Sequence, residues 1–575
     1  MATEIHYRLA GDNYLFVEFG KEINEEINQK VVSTFLVLEE QEIPGLRELI
    51  PTFCSLCLNY DQLKVTASEL QEKIDVLIQQ KRALQLRQAK MVEIPTIYGG
   101  KYGPDLESMA EYHSLSPEEV ITLHQAGEYW VGLVGFLAGY PYLGGLSPKI
   151  ATPRLKTPRT SVPRGSVGIA GNLTGIYPVS SPGGWQIIGR TPIQLFDVNK
   201  RPPALLSVGD RVKFVKISEN EFKQLSKELE SKEEPKKPTT LISSQEDMGI
   251  PIFRIINPGL FTTIQDLGRP FYQKYGVSVS GAMDRYAARL ANLLVGNTED
   301  QACLEVTIIG PTLEVLKKML FAITGGDLSP LLNEEDVPMW QTILAYPGDI
   351  LSFGGWKNGA RGYIAVAGGV QVPKILGSYA THVGSRMGGL NGQHLKSEDV
   401  LKGGSPTYRL DPLEEMQIPP ELILSYESEA KIRVLMGPQK EYYTLEGLDT
   451  FLSAQYTVTV KSDRMGYRLE GPKIENIAGT DIISEAIPLG AIQVPGDGKP
   501  IIMMADRQTT GGYSKIANVI DVDVDTLAQL PPLSKITFQT TTIEEAYWLF
   551  REREKTIAYL TDMLKSERLL RTSTL

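Results

Sequence analysis

A chain of 575 residues is too long for one hydrophobic core and predicts roughly three to five domains. At 42% apolar and 22% charged it has the composition of a soluble globular protein, and 53 Gly with 36 Pro favour turn-rich β structure over long helical bundles. Its net charge of −11 is spread along the chain with no basic stripe, which argues against nucleic acid or an anionic membrane as a partner.

Residues 1–90 read as a small α+β unit. Leu15, Val17 and Phe19 alternate as on a strand, "EEINQKVVSTFLVLEE" follows with helical character, and "SLCLNY" reads as a second strand. Thr66 and Glu69 form a capping-box pattern before Leu70, Ile74, Leu77 and Ile78, which share one helix face. Cys54 and Cys57 spell C-x-x-C within an apolar strand, and no second pair completes a zinc site; with Cys303 they make no disulfide framework. No basic region followed by an apolar block opens the sequence, so no secretory signal is expected and the cytoplasm is the expected compartment.

Residues 91–218 include a short helix announced by Ser116-Pro117-Glu118-Glu119, with Ser at the N-cap, Pro in the first turn and Glu at N3. The helix ends near His124 and leads into "YWVGLVGFLAGYPYLGGLSP", twenty residues without a charge. Tyr140-Pro141-Tyr142 and five glycines interrupt it as a membrane helix, and it lacks the strand–GxGxxG–helix setting of a dinucleotide loop. What remains is a strand-turn whose small residues admit a ligand, or a tight barrel corner; the residues leave both open. From there to about Val215, short strands punctuated by Gly and Pro predict a closed β-barrel.

Residues 219–250 are charged and weakly patterned, the best linker in the chain. Two further β modules are expected at 251–407 and 408–541, followed by a charged helix in 542–575. The first of them holds a helix with Ala287, Leu290, Ala291 and Leu294 on one face and Gly296 at its end. Internal repeats support this division. Pro163-x-Gly165-Ser166-Val167-x-Ile169-x-Gly171 aligns with Pro488-x-Gly490-Ala491-Ile492-x-Val494-x-Gly496, and Gly183-Gly184-Trp185-x-x-Ile188 aligns with Gly511-Gly512-Tyr513-x-x-Ile516. A closing strand recurs as "SVGDRVKF", "YPGDILSF" and "PPLSKITF", so one β module is expected three times.

No G-x-x-x-x-G-K-[ST] occurs, so an ATP site would not be of the Walker type. Arg154, Arg159, Arg164 and Arg190 surround the turn at Gly183 and Gly184. Asp506, Arg507, Thr509, Thr510 and Lys515 flank the turn at Gly511 and Gly512, and Asp266, Arg269, Ser280 and Asp284 open the second half. Cations beside Gly-rich backbone suit an anion, although solvated charges and barrel salt bridges explain single arginines equally well. His124 is one of five histidines and is the natural titrating group, or else a helix-end histidine pairing the last carbonyls. His113, His382 and His394 fit no metal spacing, and no metal site is predicted. Tyr140 and Tyr142 suit stacking on a ligand or plain barrel packing.

"GFLAGYPYLGGL" and "TPRTSVPRGSVGIAGNLTGIYPVSSPGGWQIIGRTP", with His124 upstream, resemble the family of the 5-oxoprolinase B component, also labelled allophanate hydrolase subunit 1. "GLFTTIQDLGRPFYQKYGVSVSGAMD", "RGYIAVAGGV", "SDRMGYRLEGP" and "GAIQVPGDGKPIIMMADRQTTGGYSKIA" resemble the C component, allophanate hydrolase subunit 2. The chain thus resembles a B–C fusion. The resemblance implies a mainly β fold with α+β character, a ferredoxin-like N-terminal unit followed by cyclophilin-like β-barrels. It implies ATP- and Mg²⁺-dependent opening of the 5-oxoproline lactam to glutamate, with a separate A component of the LamB/YcsF family. His124, Arg190, Asp506 and Lys515 are the expected catalytic residues; Tyr140, Arg154, Arg159, Gly183, Gly184, Asp266, Arg269, Ser280, Asp284, Arg464, Arg507, Thr509, Thr510, Gly511 and Gly512 are expected to bind substrate or nucleotide.

Similar modules act as carboxyltransferases on urea, with a biotin carrier for which this chain has no Met-Lys-Met attachment site, and as regulators of a histidine kinase. Ala138 stands where the B family usually has Pro, and Asp463 where the C family usually has Asn. A homo-oligomer is left open.

Overall fold

The computed structural model describes residues 5–80, 89–232, 249–477 and 479–573. Strands His6–Leu9, Tyr14–Glu18, Ser55–Tyr60 and Leu46–Pro51 lie in that order in one antiparallel sheet. Strand period two decides what each face does. Leu15, Val17, Leu56 and Leu58 pack on helices Glu25–Glu40 and Ala67–Gln80 through Val31, Phe35, Leu38, Leu70 and Ile74. Tyr14, Phe16, Ile50 and Cys57 face the other way and pack with Ala486 of the second half. The expected capping boxes form: Glu69 N–H donates to Thr66 Oγ1 at 3.3 Å, and Glu119 N–H to Ser116 Oγ at 3.3 Å.

A closed seven-stranded barrel follows. Around the ring run Met91–Tyr98, Gln186–Arg190, Ser166–Ala170, Leu173–Ile176, Pro141–Gly144, Tyr129–Val134 and Arg211–Lys216, the last pairing in parallel with the first. The final barrel has the same order: Glu429–Met436, Lys515–Val519, Ala491–Gln493, Ile501–Met503, Gly466–Glu470, Tyr456–Val458 and Lys535–Thr540, again closed by a parallel pair. The repeats therefore mark equivalent strands. Ser166–Ala170 corresponds to Ala491–Gln493, and the "RVKF" strand to "KITF".

The module between the barrels is built differently from the expected closed ring. Its strands form a seven-stranded and a five-stranded open sheet that share a core of Phe253, Leu304, Phe321 and Ile364. Helix Arg285–Leu294 and the C-terminal helix Ile543–Ser573 cover the second sheet through Leu290, Leu294, Ile557 and Leu560. That long helix also reaches the N-terminal unit, where Tyr547 and Tyr60 hydroxyls are 2.8 Å apart.

The expected linker at 219–250 is corrected in its first part. Residues Glu219–Lys232 are helical, started by Ser218 and Glu221, whose Oε2 accepts the Ser218 N–H at 2.7 Å; Phe222 of this helix packs on Tyr102. Residues 233–248 lie outside the described residues. Among the described residues no helix is long and apolar enough to cross a membrane.

Candidate functional site

Each barrel carries a two-stranded arm outside its ring: Arg159–Val162 with Ser181–Gly183 in the first half, Asp481–Ala486 with Thr510–Tyr513 in the second. The arms hold the two glycine pairs, and both pairs line one cavity of about 630 Å³ between the halves. A Cβ on Gly183 would lie 2.2 Å from the Tyr177 hydroxyl, so the turn needs glycine for space. The loop after the uncharged strand adds Phe136 and Tyr140 to the same wall. A Cβ on Gly135 would fall 2.2 Å from Thr510 Oγ1, so its missing side chain lets the halves meet at the cavity edge. Gly139 N–H donates to the Tyr275 carbonyl at 2.8 Å, pinning this loop to the second half.

Two polar atoms of wall residues are buried with no hydrogen-bond partner, Gln493 Nε2 and Thr510 Oγ1, while Tyr140 Oη meets the Tyr177 hydroxyl. Gln493 and Thr510 are 4% and 2% exposed. A buried polar group left unpaired costs about 1–3 kcal/mol, so these two atoms mark places in the wall where a partner is missing. Burial pushes the Tyr140 and Tyr142 hydroxyls well above the ordinary tyrosine value; the Arg154 guanidinium opposes that rise in both, and in Tyr177, which sets the cation against the aromatic wall. The phenols are thus neutral donors and acceptors, not bases. A second cavity, of about 310 Å³ beside helix Glu25–Glu40, is lined by charges already paired, Arg211 with Glu25 and Lys274 with Glu39.

Residues 5–206 match the family model "Carboxyltransferase domain, subdomain C and D", and residues 275–540 match "Carboxyltransferase domain, subdomain A and B". The 5-oxoprolinase B component of Bacillus subtilis is 47% identical over 232 residues, covering 39% of this chain and 97% of that protein. The 5-oxoprolinase C component of Escherichia coli is 34% identical over 316 residues, covering 55% of this chain and 100% of that protein. The chain belongs to the carboxyltransferase-domain family, as a B-type half joined to a C-type half. The crystal structure of TTHA0988 has the same arrangement, with a TM-score of 0.78 and 32% identity over 92% of this chain and 99% of that one. Urea amidolyase of Saccharomyces cerevisiae is 33% identical over 319 residues, 53% of this chain but 17% of that protein.

Of the candidate residues, Tyr140, Arg154, Gly183 and Gly184 from the B-type half and Thr510, Gly511 and Gly512 from the C-type half line the cavity together. His124 does not, and its catalytic assignment is corrected. It is wholly buried in the first barrel against Phe214, with Nδ1 2.9 Å from Tyr98 Oη and Nε2 3.0 Å from Thr174 Oγ1. Burial pushes its pKa down to about 3, so it is a neutral core histidine. Arg190 is corrected as well: its Nε donates to the Arg164 carbonyl at 2.8 Å, and it faces a separate cavity beside helix Glu219–Lys232. Lys515 is buried and spent on Glu485 at 2.6 Å. Arg159 pairs with Asp105 at 2.5 Å, while Asp105 accepts Ile187 N–H at 2.6 Å, which braces the arm rather than offering a free cation.

The C-type signature residues gather in a second place. Arg464 grips Asp506 with Nε and Nη2 at 2.9 and 3.0 Å and also pairs with Glu305; Ser280 Oγ donates to Asp506 at 2.7 Å. Burial is the largest influence on Asp506 and opposes its ionisation, but Arg464, His382 and the Ser280 hydroxyl together outweigh it and hold the carboxyl below its ordinary value. The pair is a buried clasp between the central sheets and the last barrel, so Asp506 and Arg464 do not act from the cavity wall.

Asp266 accepts from Ser378 Oγ at 2.7 Å and Tyr379 N–H at 2.6 Å, and Arg269 is fully buried with Nη2 on the Ala380 carbonyl. Asp284 caps helix Arg285–Leu294 through Ala287 N–H at 2.9 Å; burial beside Asp525 pushes it up to about 7. Arg507 reaches the Ile487 carbonyl at 2.8 Å and Tyr14 Oη at 3.1 Å, tying the C-type half to the N-terminal sheet, and Thr509 is buried next to it.

Both departures from the family pattern have local accounts. Ala138 packs in an apolar cluster with Val277, Leu376 and Met387 of the C-type half, so the interface supplies the stiffness a proline would. Asp463 Oδ1 accepts Met465 and Gly466 N–H at 2.9 and 3.2 Å, a turn that Asn forms equally well. Sequence reasoning missed Gln493 and Arg468. The repeat alignment held a signal for the first, because Gln493 falls where the first copy has Gly168. For Arg468 the signal was the strand pattern in "GYRLE", whose alternate residues Arg468 and Glu470 are exposed.

Proposed function

We propose that the chain is the joined B–C component of an ATP-dependent 5-oxoprolinase, working with a separate A component of the LamB/YcsF family. The observation that carries this reading is the composite cavity: glycine turns and arginines come from both halves, the aromatic wall from the B-type half and the buried Gln493 and Thr510 from the C-type half, so a fused B–C pair is its natural unit. The names of the B- and C-type relatives support the substrate.

A lactam resists water because attack must break amide resonance and expel an amine. Transfer of the ATP γ-phosphoryl group to the lactam oxygen gives ADP and an imidate-like carbon. Water then adds to that carbon and the C–N bond breaks, freeing the amine and leaving γ-glutamyl phosphate; a second water hydrolyses this acyl phosphate to glutamate and phosphate. Such transfer depends on positioning and on cations near the moving charge. Gln493 Nε2 would hold the lactam oxygen, while the walls exclude bulk water. Among the described residues no group of three or more His, Cys, Asp or Glu side chains fits a metal ion; Mg²⁺ on a nucleotide needs only the phosphates with one or two carboxylates, and no step is assigned to it.

The test mixes purified chain with the LamB/YcsF-type component, ATP, Mg²⁺ and 5-oxoproline and follows glutamate. An assembled, folded complex that makes none overturns the reading. The carboxyltransferase name of both family models favours one alternative, carboxylation of urea or a related amide with biotin on another polypeptide. Carboxyl transfer from a carboxylated carrier without glutamate formation would select it.

A further inference from the structure

Among the cavity's lining residues, Gln493 and Thr510 are buried, with Nε2 and Oγ1 lacking a hydrogen-bond partner, while two arginines, Arg154 from the B-type half and Arg468 from the C-type half, line it from exposed positions. Neither guanidinium has a hydrogen bond or ion pair among the described residues. The remaining charges that line the cavity, Asp463 and Asp481, do not pair with them: Asp463 is turned onto its own loop N–H groups, and Asp481 is exposed on the arm. Tyr142, Trp185 and Met503 add apolar surface to the lining.

A ligand matching this lining has a compact apolar body, an anionic group for the arginines and an amide for the buried polar side chains. We infer that Arg154 and Arg468 are the carboxylate-recognising pair of the 5-oxoproline site, and that the lactam meets Gln493. The inference rests on the proposed function and adds to it the specificity residues and the orientation of the substrate. Gln493 Nε2 donates to the lactam oxygen, and the Thr510 hydroxyl accepts the lactam N–H. Guanidinium groups suit the task because their planar fork matches a carboxylate. Each half supplies one arginine, so neither half alone has the full clamp.

The test is calorimetric binding to the full chain assembled with the LamB/YcsF-type component, using 5-oxoproline and 2-pyrrolidone, the same lactam without the carboxylate. Arg154→Gln and Arg468→Gln are each expected to weaken 5-oxoproline by about tenfold or more, the size of a lost charged hydrogen bond. The same variants should leave 2-pyrrolidone within about twofold and the melting temperature unchanged, since both side chains are exposed. Gln493→Ala should weaken both ligands. Unchanged 5-oxoproline affinity in both arginine variants, or equal losses for the two ligands, overturns the clamp while leaving the substrate reading intact. Failure of wild-type protein to bind either lactam overturns both.

Discussion

Gly135→Ala tests whether the two halves meet as described. Gly135 has no positive φ, so alanine brings no backbone strain; the whole effect is steric. The new Cβ would stand 2.2 Å from Thr510 Oγ1, 2.7 Å from Cγ2 and 3.0 Å from Cβ, all well inside contact distance. Thr510 is buried on the arm and cannot swing freely, so the arm or the loop must move. Overpacking of this kind costs about 1–3 kcal/mol. Thr510→Ala removes the two nearest atoms and leaves only the 3.0 Å contact, so in that background the same change should cost less than about 1 kcal/mol. The double-mutant cycle should give a coupling of about 1–2 kcal/mol. Urea denaturation of the four full-length proteins measures it. Simple additivity, or no destabilisation by Gly135→Ala, would refute the docking of loop on arm.

The other predictions follow from the reassigned residues. His124 is neutral when folded, with its pKa depressed from 6.5 to about 3, so its contribution is complete above pH 6.5 and falls as pH drops toward 3. Between pH 7 and 5 this group alone should remove about 2 kcal/mol, and His124→Gln should abolish that part of the slope in denaturation curves while keeping catalysis within a few-fold. Lys515→Met should strand buried Glu485 and cost about 3–5 kcal/mol, largely recovered by adding Glu485→Gln; thermal unfolding reports both. Arg190→Ala should leave turnover and melting nearly unchanged, because its one polar contact is a solvent-side carbonyl. Asp506→Asn should lower stability by several kcal/mol through the broken Arg464 clasp, and the loss should vanish less than halfway on raising salt, as expected for a buried pair.

What the sequence disclosed depended on whether a local pattern had one physical cause. The repeated Pro-x-Gly and Gly-Gly spacings have few explanations other than repeated turns, and the two closed rings follow the same strand order. The capping boxes at Thr66 and Ser116 behaved likewise, since their partners are three residues apart. The open sheets of the central module were not legible, because ring closure depends on pairings between distant strands. Helix Glu219–Lys232 was hidden by its charge, although Ser218 and Glu221 carried the same signal as Ser116 and Glu119.

At the site, the glycine pairs were readable from the demand for space. His124 was not: a buried neutral histidine and a catalytic one share a sequence signature, and only the partners at both ring nitrogens separate them. Asp506 and Arg464 stand in long motifs for a related reason, since a buried charged clasp between sheets constrains sequence as tightly as chemistry does. Gln493 and Arg468 emerge only when two halves of the chain are brought to one wall.

The central claim is that lactam opening takes place in the cavity shared by the two halves. The most direct measurement compares ATP-dependent glutamate formation by wild-type chain and Gln493→Ala, each assembled with the LamB/YcsF-type component. The account predicts glutamate from the wild type and at least a tenfold loss in the variant, about the value of one hydrogen bond in the transition state, in a variant that circular dichroism shows to be folded and that still assembles. Full activity in Gln493→Ala, or no glutamate from the wild-type assembly, would contradict it.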